Sequence, residues 1–235
     1  MAVRRQAGAH RVVCERIAMY FSVITPEDDL LRQGIYEQLK PPYAEHQWLW
    51  RFFPGEEAQT RDFVFRRHLD ESPPRYYVVS HRPPAAGNSS WRVQSRSYDP
   101  QLQPGDQLAF RLCANPVVAK KDASGRAHRH DVVMDAKKNQ ADKAELRTYE
   151  LVQSTCLAWL AARAKQNGFE LTSAAVDAYQ QHQAGKREIR FSTVDFSGEL
   201  IVTDPDLFRR TLFKGLGRAK AFGCGLMLVK RIEGR

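Results

Sequence analysis

Residues 189–232, IRFSTVDFSGELIVTDPDLFRRTLFKGLGRAKAFGCGLMLVKRI, carry the pattern that decides the fold. Two β-rich runs, IRFSTVDF and ELIVTD, flank Ser197 and Gly198 and read as a hairpin. PDLFRRTLF follows as a helix with Pro205 in its first turn, where proline's missing N–H leaves no hydrogen bond unmade. CGLMLVKRI then reads as a closing strand. Strand, strand, helix, strand is the second half of a split βαβ unit.

Upstream, Lys143 to Gln166 give the longest helical pattern, closed by Asn167 and Gly168, with Leu146, Tyr149, Val152, Cys156, Trp159 and Leu160 as its core-facing stripe. QLAFRLCANPVVAKK before it is extended, and DASGRAHRH between them reads as a polar loop. The first half opens with MYFSVIT as a strand, followed by a helical tract from Pro26 that is interrupted at Pro41 and Pro42 and resumes as YAEHQWLWRFF. FVFRRHL and RYYVVSHRP are strands around the turn DESPP, and PPAAGNSS is a loop. Each half can be drawn as strand, helix, two strands, helix, strand, although the second helix of the first half is barely visible. The expected fold is therefore α+β, two tandem ferredoxin-like βαββαβ domains over residues 19–103 and 104–235, behind an extension at 1–18. The repeat is one of pattern, without sequence identity.

Composition narrows the function classes. With 36 Lys and Arg against 27 Asp and Glu the net charge is +9, and the excess lies almost wholly in residues 111–235, which hold 22 against 14. Clustered positive charge attracts polyanions through counterion release; the bland alternative is a basic surface that serves solubility. No window holds the 18 or so apolar residues of a membrane span. The first 18 residues carry arginines but lack a secretory signal's apolar core, and although arginines also suit a mitochondrial-type presequence, a ragged extension or upstream start before Met19 is the simpler account. Cys14, Cys113, Cys156 and Cys224 form no CxxC pair, so buried free thiols in a reducing cytosol are expected, and a cytoplasmic location with them.

Lys214 to Val229, KGLGRAKAFGCGLMLV, has the glycines of a phosphate loop in the wrong setting. Gly215 and Gly217 are followed by Lys220 where a dinucleotide fingerprint needs its third glycine, and the order is helix, loop, strand. A mononucleotide or dinucleotide cofactor is not expected, and neither is a metal. Two readings remain. The glycines let the main chain lie along a sugar-phosphate backbone with Lys214, Arg218 and Lys220 beside it, or they simply stop a helix.

His46 stands out among the histidines. At 100° per residue Trp48, Leu49 and Phe52 span about 100° of a helix, while Tyr43, His46 and Trp50 fall within about 60° on roughly the opposite side. A Tyr/His pair one turn apart can move protons, with imidazole as acid or base and phenol as an orienting group; an exposed pair of this kind can equally be inert. Against RNA the suitable reaction is internal. The 2′-hydroxyl attacks its own phosphate, and the enzyme supplies alignment, a proton shuttle and cations.

MYFSVI, YAEHQWLWRFFPG followed by RDFVFR, FRLCANPVV, VDFSGELIVTDP and GLGRAKAFGCGLM, in that order, resemble the CRISPR repeat-processing endoribonucleases of the type I-E Cascade complex, the CasE family. The resemblance covers most of the chain from Met19. It implies two tandem RRM-like ferredoxin folds that bind a repeat RNA hairpin, cut it at the 3′ base of the stem without metal to leave a 2′,3′-cyclic phosphate and a 5′-hydroxyl, and stay on the guide RNA among the other Cascade subunits. By position it makes His46 the catalytic histidine and Tyr43 its partner, places Lys186, Arg187 and Arg190 of GKREIR on the stem's phosphates, and lays Lys214, Gly215, Gly217, Arg218 and Lys220 along the RNA. Arg111, Lys120 and Lys121 are further candidate contacts in the basic half. The rival reading is an RRM-like hairpin-binding protein without chemistry.

Overall fold

The computed structural model describes residues 18–27, 42–55, 61–68, 74–86, 90–139, 148–184 and 189–232. Two four-stranded antiparallel sheets organise them. The first is built from β1 (Tyr20–Pro26), β2 (Phe63–His68), β3 (Arg75–Ser80) and β4 (Trp91–Ser97), in the order β2-β3-β1-β4. The second is built from β5 (Gln107–Ala114), β8 (Phe169–Ala184), β9 (Ile189–Val202) and β10 (Met227–Arg231), in the order β10-β5-β9-β8. Both orders are the ferredoxin-like one, in which the first and third strands are central, so the expected α+β architecture of two such units holds. Among the described residues between β3 and β4 there is no helix, so the first unit's second helix is missing where it was barely legible.

In the first unit helix α1 (Pro42–Leu49) and the 3-10 turn Trp50–Phe52 cover one face of the sheet. Trp48, Leu49, Phe52 and Phe53 are buried against Ile24, Phe65, Tyr76, Val78 and Trp91, with the Trp48 ring 4.3 Å from Trp91 and 4.9 Å from Tyr76. In the second unit α2 (Val132–Asn139), α3 (Thr148–Ala164) and α4 (Pro205–Lys214) cover the sheet. Phe110, Leu112, Trp159, Leu160, Phe196, Leu200, Phe208 and Leu212 form its core. Helix α4 begins as expected: Asp204 caps it by accepting from the Asp206 and Leu207 amides at 3.0 Å, and Pro205 occupies the first turn.

Several expectations need correction. Ser197 and Gly198 do not turn a hairpin; they lie inside the single 14-residue strand β9, and the hairpin joins β8 to β9 across residues 185–188, outside the described residues. Gly198 is there for close approach, since a Cβ would stand 2.2 Å from the carbonyl oxygen of Ser173 beside a register shift in β8. The polar loop contains strand β7 (Ala127–Asp131), paired with β6 (Val117–Lys121) in a separate two-stranded ribbon. Tyr149 is not in the core stripe of α3 but 74% exposed, because the first turn of that helix runs beyond the sheet's cover; Leu146 and the helix's expected start lie outside the described residues. The tract from Pro26 up to Pro41 likewise lies outside them beyond residue 27.

The two sheets are joined by direct packing. Met19, Val64 and Val79 of the first meet Leu226 of the second, with Phe21, Phe213 and Leu228 around them. Arg66 on β2 binds Asp195 on β9 at 3.0 Å. Gly223, at φ 78°, allows the loop after α4 to lie on Phe65, where a Cβ would come within 3.3 Å of the ring. No helix among the described residues is long and apolar enough to cross a membrane.

The joint gives a prediction. Gly223→Val combines a left-handed backbone with a contact against a buried ring, whereas Gly125→Val, at φ 81° with nothing within 4 Å of a Cβ, meets only the backbone penalty. Urea unfolding should show a loss of about 1–3 kcal/mol from the strained backbone in both variants, and a further loss in Gly223→Val alone; equal losses would mean that the loop tolerates the contact.

Candidate active site

The paired prolines set the start of α1 at Pro42, which puts Tyr43 in its first turn and His46 one turn later. The Tyr43 side chain lies outside the described residues. His46 is half-buried rather than on an open face, because Trp50 and Phe63 close over it with ring centroids at 6.1 Å each. The Trp50 indole N–H donates to His46 Nε2 at 3.2 Å, so Nε2 presents its lone pair and the ring proton of the neutral form sits on Nδ1. Burial is the larger cause that lowers the His46 pKa from its ordinary value, and the positive charge of Arg61 is the second. The ring is therefore neutral at pH 7 and available as a base.

Arg61, at the entry to β2, was not singled out from the sequence. Its signal was present in RDFVFR, but nothing local distinguishes it from the other arginines of that segment. It also acts on Lys220: burial first, then Arg61, then Lys214 push the Lys220 ammonium below its ordinary pKa. Arg61 itself is lowered by burial. His46 and Arg61 of the first unit thus stand within electrostatic reach of one another, and Arg61 in turn of Lys220 of the second, which Lys214 also reaches. A neutral imidazole beside Arg61, with Lys220 and then Lys214 following from it, makes a site for an anion that exchanges protons.

The glycine stretch serves this assembly largely by shape. Gly215 ends α4 at φ 73° and its amide donates to Thr211 O at 2.8 Å, so that N–H is engaged within the fold and not offered to a backbone ligand. Leu216 N–H goes to Gly225 O at 2.8 Å and Gly225 N–H to Cys113 O at 2.7 Å. Gly217 lies against Trp159, where a Cβ would be 3.2 Å from the ring. Lys214 and Arg218 are exposed, and Lys220 opens the 3-10 turn Lys220–Phe222.

The remaining basic candidates are distributed. Arg190 is exposed near the start of β9, while Lys186 and Arg187 lie outside the described residues. Arg111 is exposed in the middle of β5. Lys120 and Lys121 lie on the β6–β7 ribbon, and Lys120 is held by Asp135 of α2 at 2.6 Å, which ties its charge to a carboxylate. Of the cysteines, Cys156 and Cys224 are buried and Cys113 half-buried, and a hydrogen bond between the Cys113 and Cys224 side chains, together with burial, raises the Cys224 pKa. Cys14 lies outside the described residues.

Supporting contacts fix α1 in rotation. Glu45, beside His46 and 5% exposed, is bound by Arg67 of β2 and accepts from the Tyr76 hydroxyl at 3.3 Å. Burial raises its pKa more than Arg67 and Tyr76 lower it.

Comparison with known proteins places this geometry in a family. The family described as CRISPR associated protein matches residues 19–231. The chain belongs to that family. The CasE subunit of the Cascade CRISPR system of Escherichia coli (strain K12) is 27% identical over 188 residues, covering 79% of this chain and 89% of that protein. The CRISPR-associated endoribonuclease Cse3 of Thermus thermophilus is 30% identical over 149 residues, 57% of this chain and 60% of the relative. Among solved structures, Thermus thermophilus Cse3 bound to an RNA representing a pre-cleavage complex superimposes with a TM-score of 0.68 at 25% identity, covering 91% of this chain and 99% of that one. The extension before Met19 lies outside the family match.

Arg61→Gln removes a like charge from the His46 environment. The imidazole's titration midpoint, followed by NMR of its ring C–H signals, should move up from its depressed value toward that of an ordinary histidine; an unchanged midpoint would remove Arg61 from the site.

Proposed function

We propose that this chain is the endoribonuclease that processes CRISPR precursor RNA, cutting at the 3′ base of the repeat stem-loop. The observation that carries this is the neutral, half-buried His46 beside Arg61, which in turn reaches Lys220, in a chain of the CRISPR associated protein family. His46 Nε2, once the RNA has displaced the Trp50 indole N–H from it, takes the proton of the 2′-hydroxyl, whose oxygen attacks the adjacent phosphorus. The imidazolium then returns a proton to the departing 5′-oxygen. The products are a 2′,3′-cyclic phosphate and a 5′-hydroxyl. Tyr43 orients the reacting groups, and the three cations stabilise the charge that builds on the phosphoryl oxygens.

The nucleophile belongs to the substrate, so the reaction needs no metal-bound water and is proposed to proceed without metal. The exposed Arg190, with Lys186 and Arg187 just before it in sequence, meets stem phosphates, because A-form RNA hides its major-groove base edges from side chains. The enzyme stays on its product among the other Cascade subunits, a reading supported by the Escherichia coli relative, which is a Cascade subunit. Its location is then cytoplasmic.

A labelled repeat hairpin incubated with the protein in excess EDTA should yield one product at the stem base. His46→Ala should slow that cut by about a hundred- to ten-thousand-fold, the usual share of general acid–base catalysis, with hairpin affinity little changed. An RNA that is shifted but uncut by the wild-type protein would favour a binding module without chemistry. At subsaturating protein, where the rate reports the free chain, the wild-type cleavage rate should rise with pH through a midpoint below that of an ordinary imidazole, because the lowered pKa puts the base form in excess earlier.

Replacing Lys186, Arg187 and Arg190 together by Ala should weaken hairpin binding and flatten its dependence on log salt by roughly one unit per lost phosphate contact. An unchanged slope would take this turn out of the interface.

A further inference from the structure

Helix α1 tightens into a 3-10 turn at Trp50, four residues after His46. That spacing is one turn, so the indole lies back over the imidazole. The rings meet edge to face, with centroids 6.1 Å apart and planes at 82°. The bond between them, from the indole N–H to Nε2 at 3.2 Å, falls on the nitrogen assigned above to take the 2′-hydroxyl proton. An imidazole nitrogen carries a single in-plane lone pair, so this one is neutral but covered.

We propose that Trp50 is an autoinhibitory latch on the catalytic base: its N–H occupies His46 Nε2 in the free chain, and only an RNA seated at the site displaces it. The proposal rests on the role of His46 in the RNA-processing function given above.

Three observations favour a latch over a group that merely orients the ring. The first is the atom engaged. A partner that orients a general base bonds the nitrogen away from the reaction and stays through it, whereas this donor sits on the reacting nitrogen. The second is the chemistry of the donor. An indole N–H donates and cannot accept, so once His46 gains its proton two N–H groups face one another and the bond is lost. The contact thus stabilises the resting ring and not the imidazolium, and an interaction of that kind opposes the reaction until it is broken. The third is the seat of the indole. Trp50 is half-buried at the margin of the first unit's core, with an edge contact to Phe63 at 5.2 Å, whereas Trp48 is buried among Phe52, Tyr76 and Trp91. Turning the Trp50 ring therefore leaves the main contacts of that core in place.

Trp50→Phe keeps an aromatic ring and removes the N–H. The His46 ring is titrated by NMR in the free chain and in complex with a repeat hairpin made uncleavable by a 2′-deoxy substitution at the attacking nucleotide. A donor on Nε2 favours the neutral ring, so in the free chain the midpoint of Trp50→Phe should lie above that of the wild type. Arg61 is present in both proteins and Glu45 is bound by Arg67 and Tyr76, so the comparison isolates the N–H. In the complex the two midpoints should coincide, and the wild-type Trp50 indole proton, identified by its cross-peaks to the His46 ring, should shift when the RNA is added. A hairpin with a mismatched stem, held with protein below its Kd and at a pH above both midpoints, should be cut about two- to tenfold faster by the variant, the worth of one hydrogen bond. Equal midpoints in the free chains, a difference that persists in the complex, or a variant that cuts the mismatched hairpin no faster overturns the latch while leaving the cleavage reading in place. Where Trp50→Phe does not fold, the wild-type indole signal decides, and a proton unmoved by RNA overturns the proposal. Normal cutting of the repeat hairpin by His46→Ala would overturn both readings.

Discussion

The Phe65 ring in the first sheet meets the backbone of Gly223 in the second unit, and the candidate site depends on that approach. Phe65 is fully buried, so its position is set by the first unit's core. The loop can reach it only if residue 223 lacks a Cβ and accepts a left-handed backbone. Once seated, the loop carries Lys220 within reach of both Arg61 and Lys214, while α1 supplies His46 beside Arg61. The site is thus composite. Neither unit alone brings the imidazole and the three cations together, which gives a physical reason for two ferredoxin-like units to be rigidly joined by Arg66–Asp195 and by the apolar contact of Val64 and Val79 with Leu226.

Much of the fold was legible because it depends on local signals. Proline at helix starts, glycine after α3 and runs of β-branched and aromatic residues in β1, β2 and β3 each act within a few residues. What was missed depends on partners distant in sequence. Gly198 looks like a turn residue until the β8 backbone is brought to within contact of it, and a β8 strand rich in Ala and Gln carries little strand propensity of its own. AHRHD gains its strand from pairing with β6, which a polar composition does not announce.

The site divides along the same line. His46 and its place on α1 follow from helical periodicity, but its depth does not, since Trp50 and Phe63 are brought over it by the fold. Arg61 has no sequence signal that separates it from Arg66 or Arg67, one of which joins the sheets and the other of which neutralises Glu45. The function of each arginine in RDFVFRR is decided by which face of β2, or which end of it, the residue occupies.

The electrostatics of the free site also suggest how one ring can serve both halves of the proposed reaction. Arg61 and burial keep His46 neutral while the site is empty, the state in which it can accept a proton. A bound phosphodiester brings a negative charge to Arg61 and offsets that residue's share of the depression, the smaller one beside burial. Its affinity for a proton then rises at the stage when it must take one from the 2′-hydroxyl. The imidazolium formed lies beside a phosphorane whose negative charge holds it until the 5′-oxygen leaves and removes the proton. A ring on an open helix face, bathed in water and far from Arg61, would titrate near its ordinary value whether RNA were bound or not. The charge of Arg61 beside the half-buried ring is what couples the proton affinity of His46 to the arrival of its substrate.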